Sequence, residues 1–391
     1  MVNKSYQARI QSIDLLRGMA IILMALDHAR EFFGTTQFDV TDLSQTSAAL
    51  FLTRWITHFC APIFILLTGV SAYLYSGKTT RLHLAGFLFK RGLWLILLEL
   101  TVITFSWKFT LDNTVVLQVI WALGWSMIVL AGAVWLPRRW LLVFSLLVIV
   151  GHNFFDNVVF SADTLGGKLW HLLHIFSDVP FGNTIASIYY PLIPWIAVAT
   201  LGYCMGPWFA LTSVSRSKRF FWLGVGCLLF FIVLRFLNIY GDSYTWEMQA
   251  RGPIYSLLSF IAVTKYPPSL LYLALTFGLA FMCWPLLEKW RGMSSSIVLT
   301  YGKVALFFYL IHLLLLHIGA ILYSHIVLDY PGGWWSHTPW VLQPTPWPEH
   351  YQFSLGLVYG AWLVLLLVSY PLCRAYKNYK SKHTYNWLRY L

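Results

Sequence analysis

Residues 12–33, SIDLLRGMAIILMALDHAREFF, combine an apolar composition with charged and titratable side chains. The stretch is apolar enough to enter a bilayer, where every charged group is energetically costly. These groups are Asp14, Arg17, Asp27, His28, Arg30 and Glu31. A helix that only anchored a protein would not keep them, so this stretch is predicted to carry chemistry.

Arg17 and His28 are separated by nearly three turns of an α-helix. They would therefore lie about 20° apart around the helix and roughly 16 Å apart along its axis, with the buried charge of Asp14 on the same face. With a hydrocarbon core of about 30 Å, the helix presents a cation near one membrane surface and an imidazole towards the other. This arrangement suits a reaction that reaches across the membrane. The alternative is a packed helix with a snorkelling arginine and an interfacial histidine.

Histidine exchanges protons near neutral pH, which makes His28 a candidate catalytic base. His58 is a second candidate, because an antiparallel neighbouring helix would hold it at a similar depth. Asp27 completes the candidate catalytic set, although it lies about 100° from His28 on a helix and is expected to pair with Arg30 or with a neighbouring helix. The chain has no HxxxH or HExxH spacing, so no metal site is predicted.

Four basic residues are expected near the membrane surface that Arg17 faces. They are Arg17, Lys90, Arg91 and Lys303. Facing inward together, they would form a pocket for the phosphates of a cytoplasmic ligand. For Lys90 and Arg91, snorkelling to the lipid headgroups is the alternative.

Four further ionisable residues lie in or beside apolar runs. Glu99 lies near the middle of its apolar run, where a carboxylate must be paired, protonated or directed into a cavity. Lys265 is expected to form an ion pair with Asp242. His312 and His317 share one apolar run, and core packing is favoured over catalysis for both.

The composition indicates a polytopic helical membrane protein. Hydrophobic residues make up 58% of the 391 residues and charged residues 11%, against roughly 25% charged in soluble proteins. The net charge of +12 is explained by basic residues in short loops on one side, and no nucleic-acid motif appears, so nucleic acid is excluded as a partner. The five cysteines lie in apolar segments without CxxC spacing and are predicted to be small buried hydrophobic residues.

Ten apolar runs of about 20 residues predict ten transmembrane helices in one domain, residues 1–391. The runs are 13–33, 55–76, 84–107, 114–136, 139–158, 185–209, 219–240, 269–288, 297–327 and 354–374. Basic residues, among them Lys4, Arg9 and the cluster after residue 374, occupy alternate connections. The positive-inside rule makes these connections and both termini cytoplasmic.

The other connections are acidic and include three long ones, 159–184, 241–268 and 328–353. The last contains GGWWSHTPWVLQPTPWPEHY, with His337 and His350. Aromatic faces in such loops suit the binding of a sugar ring at an outward cavity. An interfacial aromatic belt with proline-rich turns is the alternative.

Seven segments in order along nearly the whole chain carry a family resemblance. They are SIDLLRGMAIILMALDH, RWITHFCAPIFILLTGVSAYL, FLFKRGLWLILLELTV, YPLIPWIAVATLGYCMG, LNIYGDSYTW, VTKYPPSLLYLALTFG and YGKVALFFYLIHLLL. The chain resembles the bacterial branch of the heparan-alpha-glucosaminide N-acetyltransferase-like membrane proteins. The R-x10-H spacing of Arg17 and His28 is also similar to that of the wider acyltransferase-3 group, which modifies envelope glycans.

The resemblance implies a multi-pass inner-membrane enzyme that takes acetyl-CoA from the cytoplasm. Its acetyl group would pass to an amine or hydroxyl of a sugar on the outer face. The proposed catalytic histidine of the acyltransferase-3 group carries over to His28. The animal lysosomal enzyme places its active histidine in the following loop, where residues 29–57 of this chain contain none. The role therefore falls to His28 or His58, or this branch does different chemistry.

A transporter or proton pathway lined by the buried charges is the alternative function. The absence of an inverted sequence repeat argues against it. The sequence leaves open the acceptor, the acyl length and the choice between direct transfer and an acetyl-histidine intermediate. A homo-oligomer is compatible with the sequence.

Overall fold

The computed structural model describes residues 10–34, 36, 38–330 and 351–390. Their helices are α1 (Gln11–Phe33), α2 (Ala48–Trp55), α3 (Cys60–Ser76), α4 (Arg81–Leu98), α5 (Thr104–Lys108), α6 (Val119–Ala133), α7 (Arg138–Gly151), α8 (Leu165–His174), α9 (Leu192–Met205), α10 (Ser213–Leu237), α11 (Pro253–Ile261), α12 (Leu270–Met282), α13 (Trp284–Lys289), α14 (Met293–Lys303), α15 (Ala305–Val327) and α16 (Leu355–Lys382). Lys4, Arg9 and the aromatic loop with His337 and His350 lie outside the described residues.

Helices long and apolar enough to cross a membrane dominate the described chain. Seven meet this criterion: Ala48–Ser76, Arg138–Phe155, Leu192–Ala210, Ser213–Leu237, Leu270–Lys289, Ala305–Val327 and Leu355–Lys382. The other three predicted spans correspond to α1, to α4 with its continuation into α5, and to the shorter apolar helix α6. The prediction of an all-α polytopic membrane protein is confirmed.

Helix α1 lies at the centre of the bundle. It contacts α3, α14, α15 and α16, and its ionisable residues Asp14, Asp27, His28 and Arg30 are buried. These costly groups therefore face protein rather than lipid. The contact with α14 is backbone to backbone, because a Cβ atom on Gly302 would lie 1.9 Å from the carbonyl oxygen of Asp14.

A small sheet interrupts two of the predicted helical runs. Strands β1 (Thr114–Leu117), β2 (Ser177–Phe181) and β3 (Thr184–Ile188) form it, in the order β1-β3-β2 with β1 parallel and β2 antiparallel to β3. The predicted helix starts at residues 114 and 185 were wrong for this reason. Both segments are rich in the β-branched residues that favour strands.

The predicted span 297–327 is two helices rather than one. Val304 separates α14 from α15 and has non-helical dihedral angles, with φ −128° and ψ 34°. The break places Lys303 and Val304 on the wall of a cavity. It has no proline to mark it in the sequence, so hydrophobicity alone predicted a continuous helix.

The two ends of the described chain lie at the same end of the bundle. Lys377 near the end of α16 lines one cavity together with Arg17 near the start of α1. Tyr390 packs against Phe87 of α4, with ring centroids 5.9 Å apart. This agrees with an even number of crossings, and the cytoplasmic assignment of this end remains a prediction from the positive-inside rule.

Candidate functional site

Helices α1, α3, α4, α6, α14, α15 and α16 surround a cavity of about 790 Å³, here called the large cavity. Basic residues line it at the end of the bundle where α1 begins. They are Arg17, Arg91, Lys303, Lys377 and Lys380. Further along, the walls become apolar, with Ile21 of α1 and Leu123 and Met127 of α6 among the lining residues. The large cavity thus combines an anion-attracting entrance with an apolar interior.

Three of the four predicted phosphate-binding residues line this cavity. Arg17, Arg91 and Lys303 do so, whereas Lys90 is exposed and does not. Consecutive residues on a helix point about 100° apart, so Lys90 and Arg91 cannot both face inward. Lys377 was missed as a site residue, because its basic cluster served only to assign topology.

Asp14 holds the guanidinium of Arg17 in place. Arg17 Nη1 lies 3.1 Å from Asp14 Oδ1, and Nη2 donates a hydrogen bond of 3.2 Å to Ser71 Oγ. Asp14 is 3% exposed. The buried carboxylate therefore orients a cation at the entrance of the cavity.

A second cavity of about 30 Å³, here called the small chamber, follows along α1. Ionisable and polar side chains dominate its lining. They are Asp27, His28, Glu31, Thr57, Cys60, Gln118, Tyr190, Lys265 and Tyr266. Met24, Phe64 and Val119 line both cavities. The two cavities are therefore adjacent, and the residues of α1 that line them run from Arg17 at the basic entrance to His28.

Asp27 is the centre of a buried ionic network. Its Oδ2 lies 2.6 Å from Arg54 Nη1 and 3.3 Å from Lys265 Nζ, and its Oδ1 lies 3.2 Å from Arg30 Nη2. The same Arg30 nitrogen contacts Glu31 Oε1 at 3.2 Å. The predicted pairing of Asp27 with Arg30 is confirmed. The network therefore joins three cations to two carboxylates, Asp27 and Glu31, beside the small chamber.

The predicted ion pair between Lys265 and Asp242 was wrong. Lys265 contacts Asp27 instead. Asp242 accepts hydrogen bonds of 2.9 Å from the backbone N–H of Thr264 and 2.6 Å from Ser269 Oγ. Asp242 thus fixes the turn before α12, which leaves Lys265 free to reach α1.

The partners of His28 define which ring nitrogen carries a proton. His312 Nδ1 lies 2.6 Å from the carbonyl oxygen of Tyr309, and because a carbonyl only accepts, this nitrogen must donate. In a neutral imidazole, His312 Nε2 then accepts, and its partner at 2.7 Å is His28 Nδ1. His28 Nδ1 is therefore the donor, which leaves the lone pair on Nε2. The ring of Trp107 packs edge-on against His28, with centroids 4.9 Å apart.

The structure brings only one of the two candidate histidines to the small chamber. His58 is buried, its Nδ1 lies 3.2 Å from the carbonyl oxygen of Arg54, and its ring packs against Tyr272. It lines neither cavity. His317 packs on Phe109, as expected for a core residue. His312 is also fully buried, but its contact with His28 had no signal in the sequence.

Glu99 is paired with the N-terminus of a helix. It is completely buried, and its Oε2 accepts a hydrogen bond of 2.8 Å from the backbone N–H of Trp121 in the first turn of α6. This N–H has no partner within the helix, and a negative charge is favourable there. Glu99 also begins a π-helical turn that ends at Ile103. It lines neither cavity, which indicates a structural role.

Comparison with known proteins identifies the family of the chain. The family model for heparan-alpha-glucosaminide N-acetyltransferase, catalytic, matches residues 9–240. The chain belongs to this family. The match supports an N-acetyltransferase function and covers α1 to α10, including Arg17, Asp27, His28 and Arg91. No curated protein matches the chain.

Proposed function

We propose that this acetyltransferase takes acetyl-CoA from the cytoplasmic side of the bacterial inner membrane and acetylates a sugar on the outer side. The observation that carries the proposal is the series of two cavities along α1, from the cations around Arg17 to the imidazole of His28. A thioester that enters through one cavity and reacts in the other needs this order of groups. The same geometry supports a reaction across the bilayer.

The large cavity suits both parts of CoA. The phosphates are anionic, and arginine and lysine side chains at the entrance bind them through charge-assisted hydrogen bonds. The pantetheine arm is largely uncharged and fits the apolar interior between α1 and α6. Roughly 16 Å of helix separates Arg17 from His28, which only an extended arm would bridge.

His28 acts as the general base in this proposal. Its Nε2 takes a proton from the acceptor nitrogen or oxygen while that atom forms a bond to the thioester carbonyl carbon. The carbon–sulfur bond then breaks, and the leaving CoA thiolate receives the proton from His28. Lys265 lines the same chamber, and its positive charge stabilises the oxygen that becomes negative during the attack. Transfer is direct, without an acetyl-histidine intermediate.

The acceptor enters from the opposite side to CoA. Tyr190 and Tyr266 line the small chamber, and their rings lie at 77° with centroids 5.6 Å apart. A chamber of this volume is too small for a sugar ring, so only the reacting amine or hydroxyl of the acceptor reaches into it, where the carboxylate of Glu31 suits such a hydrogen-bond donor. An acceptor on the outer face follows if the basic entrance is cytoplasmic.

The experiment uses the purified protein in detergent, with acetyl-CoA and glucosamine as the acceptor probe. The wild type is expected to bind acetyl-CoA in calorimetry and to release CoA on transfer. His28→Gln should bind acetyl-CoA with unchanged affinity and lose about 100-fold or more in kcat, the typical contribution of a general base. His58→Gln is the matched control and should retain transfer. If the wild type did not bind acetyl-CoA, the proposed acetyl-CoA-dependent activity would be wrong. If His28→Gln retained full transfer, only the assignment of His28 as the general base would be wrong.

A further inference from the structure

Three apolar side chains belong to the walls of both cavities. Met24 of α1, Phe64 of α3 and Val119 of α6 are the residues that line both the large cavity and the small chamber. We call these three residues the collar. A group that moves from the basic entrance to His28 therefore passes along these side chains.

The chamber beyond the collar is small and polar. Its volume of about 30 Å³ has room for about two water molecules. Asp27, His28, Glu31 and Lys265 form much of its wall. An apolar chain that entered it would displace hydrogen-bonding partners from ionised groups without replacing them.

The collar is held in place by the surrounding helices. Met24 and Val119 are 6% and 7% exposed and belong to the main hydrophobic core. Val119 is the first residue of α6, and the hydrogen bond from Trp121 to Glu99 fixes this turn. Because packed cores resist the insertion of even one additional methylene, the opening cannot widen freely.

We propose that the collar selects the acyl group by length and admits acetyl while excluding acyl chains of four or more carbons. The inference rests on the proposed function, since it assumes that a CoA thioester occupies the large cavity. The carbonyl carbon of an acetyl group reaches His28 with only a methyl group to accommodate. A butyryl group carries two further methylenes, which must lie either in the collar or among the charges of the chamber.

The chain offers a matched control on each of the three helices. Ile21, Thr68 and Leu123 lie one turn away from Met24, Phe64 and Val119, respectively, and line the large cavity alone. Truncation at these positions removes a similar contact with the pantetheine arm. It does not change the opening between the cavities.

The experiment measures kcat/KM for acetyl-CoA, butyryl-CoA and hexanoyl-CoA with glucosamine as acceptor, and their dissociation constants by calorimetry. In the wild type, butyryl-CoA is expected to be used at least 100-fold less efficiently than acetyl-CoA, since one methylene changes selectivity by roughly 10- to 200-fold in a fitted pocket. Met24→Ala and Val119→Ala should each raise the butyryl-to-acetyl ratio about 10-fold or more. Ile21→Ala and Leu123→Ala should leave this ratio unchanged.

Two results would contradict the proposal that the collar selects the acyl group by length. One is a wild type that uses butyryl-CoA as well as acetyl-CoA, and the other is an equal change of the ratio in control and collar variants. Met24→Leu keeps the volume of the side chain and should keep the wild-type ratio, which separates the opening from a loss of folding. A wild type that binds and transfers acetyl-CoA without selecting length refutes the inference alone. A wild type that binds no CoA thioester refutes the proposed function and the collar together.

Discussion

His28 Nδ1 and His312 Nε2 lie 2.7 Å apart, although the two residues belong to helices α1 and α15. Their ring planes are inclined by only 19° and their centroids lie 5.0 Å apart, as expected for two imidazoles joined edge to edge by a hydrogen bond. The backbone carbonyl of Tyr309 fixes the proton of His312 on Nδ1, so the pair keeps the lone pair of His28 on Nε2. His312 is therefore a positioning residue for the proposed base.

Replacing His312 should reduce the rate of acetyl transfer without weakening donor binding. His312→Phe keeps an aromatic ring but offers no acceptor to His28 Nδ1, so kcat is expected to fall about 10- to 100-fold through loss of a correctly oriented base. His312→Gln retains a carbonyl acceptor and should recover part of the rate. Steady-state kinetics should show these changes in kcat with KM for acetyl-CoA unchanged.

His317→Phe is the control for the His312 variants. His317 lies on the same helix, its Nδ1 is 2.8 Å from the carbonyl oxygen of Ser106, and it does not line the small chamber. We expect it to lower stability but to keep kcat. Equal losses of kcat in His312→Phe and His317→Phe would show that His312 acts only through packing.

Removing the charge of Asp27 should destabilise the protein. Arg54, Lys265 and Arg30 would then be buried around a neutral side chain, and breaking a buried ion pair typically costs about 3–5 kcal/mol. The midpoint of thermal unfolding of Asp27→Asn, followed by tryptophan fluorescence in detergent, is expected to fall well below that of the wild type.

Asp14→Asn provides the comparison on the same helix. Its partner Arg17 has a side chain that is 23% exposed and therefore partly solvated, so the loss should be smaller than that of Asp27→Asn. If Asp27→Asn and Asp14→Asn unfolded at the same temperature, the assignment of Asp27 as the centre of the buried ionic network would be wrong.

Local pairs within α1 were predictable from the sequence, and contacts between distant segments were not. Asp27 and Arg30 are three residues apart on one helix, so periodicity alone brings them together. Lys265 and His312 reach α1 from more than 200 residues away, as the separations of 238 and 284 show. Hydrophobic periodicity defines which face of a helix is buried but not which helix covers it.

The sequence also does not predict the direction in which an individual basic side chain points. Lys90 and Arg91 are consecutive residues in the same apolar run, so the sequence does not distinguish them. Only the rotation of α4 within the bundle decides that Arg91 faces the cavity. The break at Val304 lies two residues after Gly302, whose backbone is in close contact with α1. Such a contact depends on tertiary structure, and a window of hydropathy does not detect it.

Arg91 and Lys90 should differ in their effect on CoA binding. Arg91→Ala removes a cation from the large cavity, and loss of a hydrogen bond to a charged group costs about 1.5–3 kcal/mol, or roughly 10- to 100-fold in Kd. Lys90→Ala removes an exposed cation and should leave Kd for CoA unchanged. Calorimetry at two salt concentrations checks both values, and the effect of Arg91→Ala should shrink at high salt. An equal effect of both substitutions would indicate a general surface field instead of a binding site.

Glu99 tests whether a buried carboxylate near the centre of the membrane is structural or catalytic. Glu99→Gln keeps an oxygen that accepts the backbone N–H of Trp121, so we expect wild-type activity and a smaller loss of stability than in Glu99→Leu. Glu99→Leu leaves this N–H buried without a partner, which should cost about 1–3 kcal/mol. It also loosens the first turn of α6, so Val119 of the collar should lose its fixed position and the preference for acetyl-CoA over butyryl-CoA should decline. Thermal unfolding and the acyl-CoA series measure these effects on the same preparations. A Glu99→Gln variant that folds but transfers no acetyl group would instead assign the carboxylate a direct part in the reaction.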